Sequence, residues 1–116
     1  MSTQQALQHE NHTLDRSQLK QVDLLLNDAV TSYQATASPR LTNKQVDTLR
    51  ENAHAAATEC LSIDKNNIDA MNIIARLNLD KNNFKQATRW AKSALAIDSK
   101  SATTWYSLGQ IRLASN

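Results

Sequence analysis

The chain has 116 residues, with one glycine, one proline, one cysteine and a formal net charge of +2 at pH 7. A chain of this length forms one domain with a buried core, and the scarcity of turn-forming residues excludes a sheet built from hairpins, so we expect an all-α fold. A single cysteine excludes an intramolecular disulfide and a cysteine-based zinc site, and the small net charge does not by itself indicate a nucleic-acid partner.

Residues 1–12 are polar and carry no sustained hydrophobic period, so we expect a mobile N-terminal arm ahead of a helical domain at 13–116. This start has neither the basic end nor the apolar centre of a secretory signal, and no apolar run approaches the length of a membrane span. The expected setting is therefore reducing and cytoplasmic, without a membrane partner.

The first predicted helix begins near Leu14 and ends around Ala37, because Pro39 restricts the residue before it and lacks a backbone donor. Apolar residues recur along this segment at spacings of 3, 4, 3 and 4, the pattern of one buried stripe on a helix. The stripe consists of Leu19, Val22, Leu26, Ala29 and Tyr33.

The second helix is predicted to start at Thr42, which forms a capping box with Gln45. Its inward stripe is made mostly of small residues, so close contact with a neighbouring helix is expected. The stripe consists of Val46, Leu49, Ala53, Ala56, Ala57, Cys60 and Leu61. We interpret Cys60 as a core residue, since no basic neighbour that would activate its thiol is evident.

Three further helices follow, separated by polar residues. The third begins after the asparagines at 66–67, and the fourth begins after those at 82–83, where Asn83 and Gln86 are placed as a capping pair. Ser101 is placed to cap the fifth. The inward residues are Met71, Ile74, Ala75 and Leu79 on the third helix and Phe84, Ala87, Ala91, Ala94 and Leu95 on the fourth.

The second half of the chain contains an internal repeat with a period of 34 residues. The segment Leu61-Ser-Ile-Asp64 recurs as Leu95-Ala-Ile-Asp98. The same shift relates Ala53 to Ala87, Ala57 to Ala91, Cys60 to Ala94, Met71 to Trp105, Ile74 to Leu108 and Ala75 to Gly109. A period of 34 built from two short helices is typical of helical-repeat proteins.

In this period the chain resembles the tetratricopeptide repeat family. The residues that carry the resemblance are Trp105-x-x-Leu108-Gly109, similar to the start of a repeat's first helix, and Phe84-x-x-Ala87, Ala91, Ala94-Leu95 and Ile97-Asp98, similar to its second. The resemblance implies a right-handed array of about five antiparallel helices, with one complete repeat at 68–101 and half repeats at 48–67 and 102–116. It also implies that Gly109 is a packing residue that lets two helices touch.

The chain departs from the family in two ways. The large aromatic residue that the family has later in the first helix is replaced by Asn78 and Arg112. The proline that usually closes a repeat is replaced by Lys65 and Ser99. The fifth helix has no following helix in the sequence, so we expect Ile111 and Leu113 to leave apolar surface open. A second copy, a different protein or further repeats of a longer array could cover that surface, and the sequence does not separate these alternatives.

The resemblance implies a protein-protein interaction module, an adaptor, scaffold or chaperone-like protein, that binds a polypeptide in a concave groove and along the open fifth helix. The partner-binding residues predicted for these surfaces are Asn72, Arg76, Asp80, Thr103, Trp105, Tyr106, Gln110, Ile111 and Leu113. Arg76, Trp105 and Tyr106 are the expected energetic anchors. Arg76 is the only cation among them, so the family's two-cation clamp for a terminal carboxylate is not expected.

Two other functions are considered. A structural homodimer could assemble through the fifth helix or the long first helix. Nucleic-acid binding through the basic helix at 84–97, with Lys81, Lys85, Arg89 and Lys92, is disfavoured because the charge density is modest and no stacking aromatics are interleaved. The charge is asymmetric, −3 over residues 1–64 and +5 over residues 65–116, which can steer association with an acidic partner or another copy.

The sequence contains no pattern that indicates catalysis. No phosphate loop, nucleophile elbow or pair of catalytic carboxylates is found. His9 and His12 lie in the predicted arm and His54 stands alone among alanines, so fixed metal coordination is not expected. We therefore predict no enzyme activity, no cofactor and no metal site.

Overall fold

The computed structural model describes residues 13–116, which form five α-helices. They are α1 (Arg16–Ala35), α2 (Asn43–Ile63), α3 (Ile68–Asp80), α4 (Phe84–Ile97) and α5 (Ala102–Ser115). This part of the chain contains no strand, which confirms the all-α prediction. The arm predicted at residues 1–12 lies outside the described residues.

Side-chain caps fix the starts of several helices. At α2, Gln45 N–H donates to Thr42 Oγ1 (3.1 Å) and Thr42 N–H donates to Gln45 Oε1 (2.8 Å), which is the predicted capping box. Asp15 and Gln18 form a second capping box at α1, which the sequence reading did not single out. Ser101 caps α5 as predicted.

The connection between α3 and α4 differs from the prediction. Asn83 makes no side-chain capping bond to α4, so its predicted capping pair with Gln86 is wrong. Its Nδ2 donates instead to Asn78 Oδ1 (3.3 Å), which ties the start of α4 to the end of α3. Asn82 adopts the left-handed conformation (φ 61°) that asparagine tolerates better than most residues, and it ends α3 there.

The helices pack in two layers. Each helix contacts the next along the chain, and α3 also contacts both α1 and α5. Helix α2 contacts both α1 and α3, and α4 contacts both α3 and α5. Helices α1, α3 and α5 therefore lie side by side in one layer and α2 and α4 in the other, in a flat particle of 56 × 32 × 19 Å.

Two apolar clusters join the layers. The first consists of buried residues of α1, α2 and α3: Val22, Ala29, Ala53, Ala57, Cys60, Ala70, Ile73, Ile74 and Leu77. The second joins α3, α4 and α5: Ala75, Ala87, Ala91, Leu108 and Ile111. Alanines on the facing surfaces let the helices approach closely. Trp90 is partly buried and packs against both clusters.

The inward stripe of α1 is shorter than predicted. Val22 and Ala29 are buried, but Leu19 is exposed, so its predicted place in the core is wrong. At this end of the bundle Leu14, which precedes α1, packs against the first cluster instead. None of the helices described in residues 13–116 has both the length and the apolar character needed to cross a membrane.

Candidate partner-binding surface

Arg76 of α3 lies between two tyrosines in the layer of α1, α3 and α5. Its guanidinium carbon is 5.8 Å from the ring centroid of Tyr33 on α1 and 5.8 Å from that of Tyr106 on α5. Both distances are within the range of cation–π attraction. Arg76 Nε also donates to the Tyr33 hydroxyl oxygen (3.4 Å). These three residues, the Arg76 cluster, bring one cation and two aromatic rings together from three helices.

Burial keeps the Tyr33 hydroxyl neutral. Burial raises the pKa of Tyr33 above 10.0, and the nearby carboxylate of Asp80 raises it further, whereas Arg76 opposes the shift. Arg76 and Asp80 lie one turn apart on the same side of α3. The surface therefore presents a cation, an anion and a neutral phenol within a short distance.

The structure brings several predicted binding residues to this surface. Thr103, Tyr106 and Gln110 lie at i, i+3 and i+7 on α5 and so share one side of that helix, with Thr103 and Tyr106 exposed. Tyr33 was not predicted as a site residue, because it ends the apolar stripe of α1 and was assigned to the core. Its place near Arg76 depends on how α1 packs beside α3, which no local sequence signal reports.

Asn72 was predicted to bind a partner, but it is only 4% exposed. Its Nδ2 donates to Thr104 Oγ1 (3.0 Å), and the Thr104 hydroxyl donates to Ser101 Oγ (3.0 Å), so a polar seam joins α3 to the start of α5. The prediction is corrected because α5 covers this position, although Asn72 shares the helical period of Arg76 and Asp80. Asn72 acts in packing.

A second exposed surface lies on the outer side of α5. Trp105 is 50% exposed and Leu113 is 74% exposed, and a Cβ added to Gly109 would meet no atom within 4 Å. These three residues, at i, i+4 and i+8, are called the α5 edge below. Trp105 Nε1 donates to the backbone oxygen of Ser99 (2.8 Å), which holds the indole against the connection before α5.

Two predictions about α5 are corrected by this arrangement. Gly109 does not separate two touching helices, because no helix lies over it in residues 13–116. Ile111 is 2% exposed and belongs to the second apolar cluster, so it faces the chain's own core and not the open surface. Leu113 does extend the open surface as expected.

The basic side of α4 forms a shallow depression of about 510 Å³. It is lined by Lys85, Thr88, Arg89, Lys92, Ser93 and Ala96. No aromatic side chain lines it, and single-stranded nucleic acids are bound largely by stacking of bases on such side chains. This geometry does not favour the nucleic-acid alternative.

Cys60 is fully buried in α2. Burial raises the pKa of its thiol to about 11, and the carboxylates of Asp64, Asp69 and Asp23 add to the shift. Within residues 13–116, no group of three His, Cys, Asp or Glu side chains is arranged to hold a metal ion. Cys60 packs in the first apolar cluster.

The Cys60 thiol is expected to be far less reactive in the folded chain than in the unfolded one. A pKa of about 11 in place of 9.0 leaves about 100-fold less thiolate at pH 8, and burial blocks access further. Folding raises this pKa, so the folded chain favours the neutral thiol. The contribution of the neutral thiol to the free energy of unfolding is complete below the unfolded pKa of 9.0 and is lost as the pH rises through about 11. Disulfide-exchange rates at pH 8, with and without denaturant, test this, and equal rates would contradict it.

Comparison with known proteins gives no match: no family model matches the sequence, and neither a curated protein nor a solved structure is significantly similar to it. The resemblance to tetratricopeptide repeats therefore depends on the 34-residue period of the chain itself. The candidate surfaces depend on the geometry of the Arg76 cluster and the α5 edge.

Proposed function

We propose that this chain is a helical-repeat module of the tetratricopeptide type that binds another polypeptide through the layer of α1, α3 and α5. The observation that carries the proposal is the Arg76 cluster, in which three helices of one layer supply an arginine between two tyrosines. Arginine and tyrosine are the residues in which binding energy at protein interfaces is concentrated. The module acts as an adaptor, scaffold or chaperone-like protein.

The repeat interpretation is supported by the way α3 and α5 pack on the helices before them. At a separation of 34 residues, Ala70 corresponds to Thr104, Ile73 to Ser107, Ile74 to Leu108 and Leu77 to Ile111. All eight side chains are buried. The two helices thus use equivalent positions to contact the preceding helices, as expected when one structural unit is repeated along a chain.

The Arg76 cluster favours a peptide segment with an acidic side chain next to an apolar one. Cation–π attraction and the hydrogen bond to Tyr33 hold the guanidinium in place, so less side-chain freedom is lost when it binds a carboxylate. Tyr106 is 59% exposed and offers an aromatic face beside it. Asp80 discourages a second acidic group nearby and so restricts the sequences that fit.

Site-specific photo-crosslinking tests this function. A photoreactive residue at Thr103 or at Gln110 flanks Tyr106 on the same side of α5, and one at the exposed Ala55 of α2 is the control. In cells that express the protein, we expect a discrete polypeptide to be cross-linked from positions 103 and 110 and not from position 55. Equal labelling from all three positions would contradict the proposal.

Arg76→Ala is expected to weaken binding of that polypeptide by roughly thirtyfold, the loss typical of an interface hot spot. Arg76→Lys keeps the charge but not the planar stacking group, so it should recover only part of the affinity. The Kd of the purified pair, measured by calorimetry for both variants, provides the test. Unchanged affinity in Arg76→Ala with unchanged circular dichroism would remove the cluster from the interface.

A further inference from the structure

The α5 edge corresponds in the repeat to three positions of α3, two of which pack with α4 in the second apolar cluster. At the 34-residue separation, Met71 corresponds to Trp105, Ala75 to Gly109 and Leu79 to Leu113. On α3 the first two of these positions are buried and the third is half-buried against the second apolar cluster. On α5 all three positions are exposed. Helix α3 is thus covered on both sides, whereas α5 is covered only on the side of the preceding helices.

Helix α4 shows what kind of element covers such a surface. It presents Ala87 and Ala91 to the cluster that contains Ala75, and all three are fully buried. Ala94, at i+7 from Ala87, is fully buried as well. Small residues at this spacing let two helix axes approach closely. Gly109 leaves more room on α5 than Ala75 leaves on α3.

We propose that the α5 edge binds an amphipathic α-helix of another polypeptide, which carries small residues at i, i+4 and i+7 and lies on α5 as α4 lies on α3. This inference rests on the proposed function and specifies the partner class for a second surface of the module. A folded second copy cannot supply the helix, because the small-residue stripes of α2 and α4 are buried in the core of the described chain.

Arg112 sets the charge expected at one end of the bound helix. It is the only charged residue of α5, and it stands 34 residues after Asn78. Asn78 accepts a hydrogen bond from Asn83, the residue directly before α4. A bound helix in the equivalent position brings its own N-cap residue close to Arg112. An aspartate at that N-cap would pair with Arg112, accept the capping hydrogen bond and interact favourably with the helix dipole.

The first test extends the chain with a copy of its own helix. Asn82, which ends α3, corresponds to Asn116, so appending residues 83–101 after Asn116 continues the period. In a Trp90→Phe background, with the same change in the copy, Trp105 is the only tryptophan. We expect its emission to shift to the blue and its quenching by acrylamide to fall at least about twofold, because a half-exposed indole becomes buried.

Two matched controls keep this test decisive. In the appended copy, replacing the equivalents of Ala87 and Ala91 with glutamate should abolish the shift. In the extended chain, Gly109→Leu should abolish it as well, and folding is retained because a Cβ at this exposed position meets no atom within 4 Å in the unextended chain. An extension that leaves Trp105 quenching unchanged, or a shift that survives both controls, overturns the inference.

The same segment as a separate peptide tests binding between molecules. A peptide of residues 81–98 with Asn83→Asp should bind more tightly than one with Asn83→Lys, and Gly109→Leu should abolish binding of both. Equal affinities would overturn the role of Arg112. Two other results would overturn the inference. If the unextended chain forms a dimer that buries Trp105 and dissociates with Gly109→Leu, the edge binds a second copy. If deletion of residues 1–12 increases the exposure of Trp105, the edge binds a segment of the chain itself.

These results are separable from the proposed function. Cross-linking at positions 103 and 110 and its dependence on Arg76 report the layer of α1, α3 and α5, whereas Trp105 quenching reports the α5 edge. Loss of helix binding with retained cross-linking would overturn the present inference alone. Helix binding without a cross-linked partner would overturn the proposed function of the Arg76 cluster alone.

Discussion

Leu77→Ala is expected to lower the free energy of unfolding by about 2–5 kcal/mol. Leu77 is 2% exposed and lies in the apolar cluster shared by α1, α2 and α3. Truncation removes apolar surface that is buried on folding and leaves a cavity. Four of the other buried residues in this cluster are alanines, whose side chains are too short to move into the cavity, so the cavity stays open.

Leu24→Ala is the matched control for this loss. Leu24 is also a helical leucine, but it is 59% exposed on α1, so its truncation should change the free energy of unfolding by less than about 0.5 kcal/mol. Urea unfolding followed by far-UV circular dichroism measures both variants. Similar losses for the two leucines would mean that α3 is not the centre of the core.

Local signals predicted much of the fold. The capping box at Thr42, the cap at Ser101 and the asparagines at 82–83 placed helix boundaries close to the observed ones, because each acts within a few residues of the chain. The prediction for Asn83 was wrong because its hydrogen-bond partner, Asn78, belongs to the preceding helix. The capping pattern considers only the residues that follow Asn83, so it did not include the competing hydrogen bond to Asn78.

The binding surface was less predictable for the same reason. Helical period placed Asn72 on one side of α3 with Arg76, but it could not report that α5 buries Asn72 and leaves Arg76 partly exposed. Tyr33 fitted an apolar stripe, and the stripe does not show that its hydroxyl end reaches Arg76. The sequence thus predicted which residues share a helix face, whereas the packing of neighbouring helices decides which of them remain accessible.

The repeat predicts substitutions of opposite effect at equivalent positions. Ala75→Leu should lower the free energy of unfolding by about 1–3 kcal/mol, because the larger side chain must enter the fully buried contact between α3 and α4. Gly109→Leu, 34 residues later, should raise it by about 0.5–1 kcal/mol, because leucine favours the helix and a Cβ at this position meets no atom within 4 Å.

The sign of the Gly109→Leu effect separates two explanations for the only glycine in the chain. In the isolated protein this glycine costs helix stability without a packing contact in residues 13–116 that would compensate for it. If the α5 edge binds a helix, the cost is offset in the complex, where the missing side chain allows close approach. Thermal unfolding should therefore rank Gly109→Leu above the original chain when each is free and below it when the helix of residues 83–101 is attached. A variant that is less stable in both forms would mean that Gly109 already packs within the free chain.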